Sequence, residues 1–80
     1  MVELNRAIAV GEAKGPQAGL ELVDRLGLVG YQYFHSTRAD LLRRLGRIDE
    51  ARPEYERALE LARAEPERRF LTRRLAELGA

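Results

Sequence analysis

Eighty residues allow one small domain, since typical domains run about 100–150 residues. With 14 Lys+Arg against 13 Asp+Glu the net charge is +1, too weak a global field to hold nucleic acid or an anionic membrane. There is no cysteine, which excludes disulfides, thiol chemistry and cysteine-containing zinc sites, and no apolar run reaches the ~18 residues of a membrane span. The N-terminus carries no basic-then-apolar signal pattern, so a soluble, cytoplasmic protein is expected.

Ala, Leu, Glu and Arg dominate the chain, and no sustained apolar/polar alternation marks a strand. A first helix is expected over about Val2–Ala13, with Leu4, Ala7, Ile8 and Ala9 on its apolar side. Gly15-Pro16 ends it and starts a second over about Pro16–Leu26, where Ala18, Leu22 and Leu26 recur at i, i+4, i+8. Gly27 and Gly30 bracket a turn. The third helix, about Tyr31–Leu45, carries Phe34, Leu41, Leu42 and Leu45, and Gly46 closes it. Asp49, Glu50 and Pro53 fit the first turn of a fourth helix, whose stripe is Ile48, Ala51, Tyr55, Ala58, Leu59 and Ala62. Beyond Glu65-Pro66-Glu67, residues Phe70, Leu71, Leu75 and Leu78 define a fifth.

A 34-residue frame from Gln32 to Glu65 carries tetratricopeptide spacing in its later half. Ala39 takes the small position of its first helix, Leu45-Gly46 makes the turn, and Ala51, Tyr55 and Ala58 give a small–aromatic–small pattern. Small residues let two helices approach, and the aromatic fills the gap to the next hairpin. A shift of 32 residues pairs Ala39 with Ala7, and a shift of 33 pairs Ala51 with Ala18 and Tyr55 with Leu22, giving a degraded first copy. The expected fold is all-α: two antiparallel tetratricopeptide-like hairpins (1–30, degenerate, and 31–65) and a capping helix (66–80) in one domain.

Three ordered blocks resemble something narrower. Leu4-Asn5-Arg6-Ala7-Ile8-Ala9-Val10 with Gly15-Pro16-Gln17-Ala18-Gly19-Leu20, then Tyr31 through Arg47, then Glu65-Pro66-Glu67-Arg68-Arg69-Phe70-Leu71, are similar to the C-terminal extension of a group of extracytoplasmic-function RNA polymerase sigma factors. Val29 departs from the acidic residue common before the turn glycine there, and Ser36-Thr37 stand where alanines are common. The resemblance implies a tetratricopeptide-like regulatory module of a transcription-initiation factor, whose partners are the sigma core regions, the polymerase or a regulator. DNA would be reached only through promoter-reading regions that this sequence lacks, so one excised domain of a longer factor is expected.

Catalysis and cofactors are not expected, because no nucleophile motif, phosphate-cradling glycine loop or metal-ligand spacing is present. His35 is the lone histidine and reads as a packed, hydrogen-bonded residue rather than a base. Arg38 falls on the apolar stripe of the third helix, which calls for a counter-charge such as Asp24 or Glu54; a ligand clamp is the rival reading. The arginine clusters at 43–47 and 68–74 alternate with glutamates and read as solvated faces. Partner contact is assigned to residues pointing off the core stripe of the first and third helices: Asn5, Tyr33, Ser36 and Asp40. A freestanding tetratricopeptide adaptor and a small-molecule sensor built on His35 and Arg38 are the alternatives.

Overall fold

The computed structural model describes residues 2–79, and these form five helices with no strand. They are α1 (Val2–Lys14), α2 (Pro16–Leu26), α3 (Gln32–Arg44), α4 (Ile48–Leu61) and α5 (Glu65–Gly79). The fold is all-α, two tetratricopeptide-like hairpins followed by a fifth helix. Packing runs mainly between neighbours in sequence, and α1 also meets α3.

The α3–α4 corner shows how local sequence sets this path. Gly46 adopts φ 78, the left-handed conformation that a side chain resists. Its N–H donates to the Arg43 carbonyl at 2.9 Å, and the Arg47 N–H to the Leu42 carbonyl at 2.9 Å. That pair of bonds is the Schellman arrangement, which satisfies carbonyls the helix end would otherwise orphan. The end of α4 is closed differently. Arg68, one turn into α5, donates to the Leu59 carbonyl at 3.0 Å and the Ala62 carbonyl at 3.2 Å.

Ala39, Leu42, Ala51, Tyr55 and Ala58 are all buried, so the small–aromatic–small pattern forms the seam of the second hairpin. The first hairpin is seamed by glycine. A Cβ on Gly19 would stand 2.9 Å from the Ala7 carbonyl oxygen and 3.0 Å from the Gly11 Cα, so α1 and α2 touch backbone to backbone. Accordingly α2 buries Gly19, Leu20 and Val23, while Leu22 and Leu26 are half-buried at the margin of the core. This corrects the expected stripe through Ala18 and Leu22. At a shift of 32 residues the buried Gly19 and Val23 stand opposite Ala51 and Tyr55, as Ala7 does opposite Ala39.

Other departures have equally simple causes. Leu4, Ala7 and Gly11 fill the buried face of α1, which leaves Ile8 and Ala9 exposed. Leu71 is the buried anchor of α5, with Leu75 and Leu78 packed beside it, and Phe70 turns outward. Pro53 lies inside α4, past its first turn, where a proline leaves the Asp49 carbonyl without its helical donor. Pro53→Ala is therefore expected to raise stability by about 1 kcal/mol, part of the interior-proline penalty. Urea unfolding reads this directly; a lower midpoint would mean that the ring's fixed φ is worth more than the recovered bond.

Candidate functional site

One side of α3 is not covered by a helix laid flat on it. Tyr33, Ser36 and Asp40 follow each other at helical spacing there, and the walls beside them come from α1 and α5. A cavity of about 180 Å³ is lined by Ile8 and Glu12 of α1, by Ser36, Asp40 and Arg44 of α3, and by Phe70 of α5. A neighbouring cavity of about 360 Å³ shares Ser36 and Phe70 and adds Tyr33 and Glu67. Together they make a groove across the first, third and fifth helices. Its apolar surface is solvent-facing: Ile8 is 42% exposed, Tyr33 44% and Phe70 44%. Val29, 67% exposed on the α2–α3 connection, lines neither cavity.

Polar contacts hold the groove in shape. The Tyr33 hydroxyl donates to the Glu67 carboxylate, which ties α3 to α5 and pushes the phenol's pKa up. The Tyr33 ring also meets Tyr31 edge to face, with centroids 5.5 Å apart. Asp40 accepts from Arg43 Nη2 at 2.6 Å, and Arg43 Nε donates to the Tyr55 hydroxyl at 3.2 Å, so the groove floor is bound to the core aromatic. Burial raises the Tyr55 phenol's pKa, and the Arg43 N–H works against that rise. Across the groove Arg44 lies 3.7 Å from Glu12. The Arg74 guanidinium stands 5.0 Å from the centre of the Phe70 ring, fixing that side chain from behind.

Of the residues assigned to partner contact, Tyr33, Ser36 and Asp40 line the groove and Asn5 does not. Asn5 is exposed on the same strip of α1 as Ile8 and Glu12, one turn beyond the cavity. The apolar patterning places Ile8 and Phe70 with the core residues of α1 and α5, because hydrophobicity alone does not say whether an apolar side chain faces its own fold or a partner. Their offset from the Leu4–Ala7–Gly11 and Leu71–Leu75–Leu78 rows is the signal that separates them.

His35 and Arg38 belong to a different place, the junction of α2, α3 and α4. His35 is buried; its Nε2 donates to the Val29 carbonyl and its Nδ1 lies 3.3 Å from Glu54 Oε1. Arg38 Nε donates to Asp24 Oδ1 at 2.7 Å, and its Nη1 is 3.5 Å from that same Glu54 oxygen. The two carboxylates come from α2 and α4, so Arg38 on α3 pins both neighbouring helices. Ser36 turns its hydroxyl back to the Tyr33 carbonyl at 3.4 Å and makes no pair with His35. Among the described residues no group of three or more His, Asp or Glu could hold a metal ion, and no helix is long and apolar enough to cross a membrane.

The hairpin of α3 and α4 decides the comparison with known proteins. Residues 32–64 match the tetratricopeptide repeat. Such a repeat is a protein–protein interaction scaffold, and the matched residues supply Tyr33, Ser36, Asp40 and Arg44 of the groove. The chain is also 44% identical over 82 residues to an uncharacterized protein of Rhizobium meliloti (strain 1021), covering 100% of this chain and 19% of that protein. It thus spans about a fifth of the length of that relative. No solved structure matches the chain.

Proposed function

We propose that these residues serve as the regulatory C-terminal module of an extracytoplasmic-function RNA polymerase sigma factor. The groove of α1, α3 and α5 would hold the sigma core regions, the polymerase or a regulator, and so set sigma activity. One observation carries this reading. Of the segments that resemble the sigma-factor extension, Leu4–Val10, Tyr31–Arg47 and Glu65–Leu71 lie on or around α1, α3 and α5, which wall the groove, while Gly15–Leu20 lies on α2, outside it. The match to a fifth of a longer protein also suits a module of a larger chain. Residues 1–30, 31–65 and 66–80 act in this reading as degraded hairpin, repeat hairpin and cap of one domain. The module works without catalysis or cofactor in the cytoplasm, and DNA is contacted only by the parent's other regions.

Tyr33→Ala in the parent factor tests it. Run-off transcription should change several-fold, while the variant's stability stays within about 1 kcal/mol of the original, since an exposed side chain with a single exposed bond is lost. Unfolding of the variant would make Tyr33 a structural residue. Unchanged transcription would remove the groove's role. The second reading, a freestanding tetratricopeptide adaptor, draws on the repeat at 32–64 alone; it takes over if the parent gene encodes no sigma regions. A small-molecule sensor built on His35 and Arg38 is disfavoured, because both side chains already engage Val29, Glu54 and Asp24.

A further inference from the structure

Resting on the reading of the groove as a docking surface, we propose that its occupant is a basic amphipathic helix of a partner protein. Its apolar side chains would sit on Ile8, Tyr33 and Phe70, and its lysines or arginines against Glu12, Asp40 and Glu67. The apolar half of the argument is convergence. Three helices each contribute an exposed large apolar residue, and all three face the same groove. Grouped apolar exposure rimmed by polar residues marks an interaction site, whereas scattered exposure does not.

Charge selects the partner. The lining holds three carboxylates, Glu12, Asp40 and Glu67, against the guanidinium of Arg44, and with Arg43 paired to Asp40 the groove keeps one net negative charge, centred on Glu67, in a chain whose net charge is +1. The groove lining is thus mildly acidic in a slightly basic molecule. The fifth helix shows the division most sharply. It turns Glu67 and Phe70 into the groove and Arg68, Arg69 and Arg73 to another face, beside Thr72 and Ala76. An acidic ligand would be drawn to that second face, and a basic one to the groove.

The carboxylates are also held in position. Glu67 accepts from Tyr33, Asp40 from Arg43, and Glu12 faces Arg44 at 3.7 Å while remaining 69% exposed. A ligand cation therefore joins an ordered rim. A helix fits better than an extended strand, because the described residues offer no sheet edge, and two adjoining recesses between helices suit anchors one turn apart. A second copy of this chain fits poorly, since its own basic face on α5 carries Glu65, Thr72 and Ala76 beside the arginines and no large apolar anchor.

Three fluorescein-labelled peptides of about 14 residues, stapled as helices because that length is marginal in water, test the proposal on the whole 80-residue chain. All carry leucines at i, i+3 and i+7 and differ only in their flanking residues, which are lysine, glutamine or glutamate. The lysine peptide is expected to bind at least about tenfold more tightly than the glutamate peptide, with the gap shrinking as salt rises. Amide shifts should centre on Ile8, Tyr33, Ser36 and Phe70. Glu12→Lys with Glu67→Lys should invert the order of the peptides, and Ile8→Ser with Phe70→Ser should abolish binding while the melting curve is retained. Equal binding of the three peptides, a preference for glutamate, shifts centred on Arg69 and Arg73, a groove closed by self-association, or no binding at all would each overturn it. A transcription defect of Tyr33→Ala can persist through any of those results, so the two readings fail separately.

Discussion

Tyr55→Ala is expected to cost about 3–5 kcal/mol, the range for truncating a buried aromatic. The ring is 1% exposed among Ala39, Leu42, Ala51 and Ala58, which are too small or too tightly seated to close over the gap. A domain of this size has only about 5 kcal/mol in reserve, so the variant should keep at most about 2 kcal/mol and approach unfolding at room temperature. Tyr55→Phe separates packing from polarity. It keeps the ring and removes only the acceptor of Arg43 Nε, at a cost of about 1 kcal/mol. Circular dichroism during urea titration measures both. A loss below about 1 kcal/mol for the alanine variant would mean that the aromatic position of the repeat does not organise this core.

The second large effect is expected at Gly19, where adding a single methyl group should destabilise by about 1–3 kcal/mol. Intrinsic helix propensity predicts the opposite sign, favouring alanine over glycine by roughly 1 kcal/mol. Contact decides between them. The added Cβ would meet the Ala7 carbonyl oxygen at 2.9 Å and the Gly11 backbone at 3.0 and 3.2 Å, and backbone atoms cannot swing aside as a side-chain tip can. The helices α1 and α2 would have to separate along their seam. Gly30→Ala is the control, because its Cβ would find nothing within 4 Å and its φ is not positive. Thermal melting should show a loss for Gly19→Ala and little change for Gly30→Ala. If the Gly19 variant gains stability, the close approach of the two helices is not tight.

These two positions also show what the sequence discloses and what it hides. Helix ends were legible because Gly15-Pro16 and Gly46 act locally, through backbone conformations that do not depend on the rest of the fold. The α3–α4 seam was legible because Ala51, Tyr55 and Ala58 differ in size in a pattern with one packing meaning. The face of α2 was not. Its apolar residues Ala18, Leu20, Leu22, Val23 and Leu26 surround most of the helix, so periodicity chooses badly among them. The residue that fixes the face is Gly19, which has no hydrophobicity to count. Pro53 misled for a related reason, since a shift of a few residues in the start of α4 turns a harmless proline into an interior one.

At the site, Tyr33, Ser36 and Asp40 were accessible to reasoning because they alternate with the core row of α3. The α1 and α5 walls were not, since which helices flank α3 is a tertiary fact. Arg38 lies between these cases. A guanidinium on an apolar stripe demands a counter-charge, and Asp24 and Glu54 were nameable in advance; that both engage it at once follows from the crossing of α2 and α4 beside α3.

Because each helix leans mainly on its neighbour in sequence, little chain entropy has to be lost before a contact forms. Helical chains built from such local contacts fold in microseconds to milliseconds, whereas a ribosome adds only about 5–20 residues each second. The first hairpin can therefore close before the second has been made, and the second can settle onto a finished surface. Translation would lay the module down in order from its N-terminus, with the strap of Arg68 across the end of α4 among the last contacts to form.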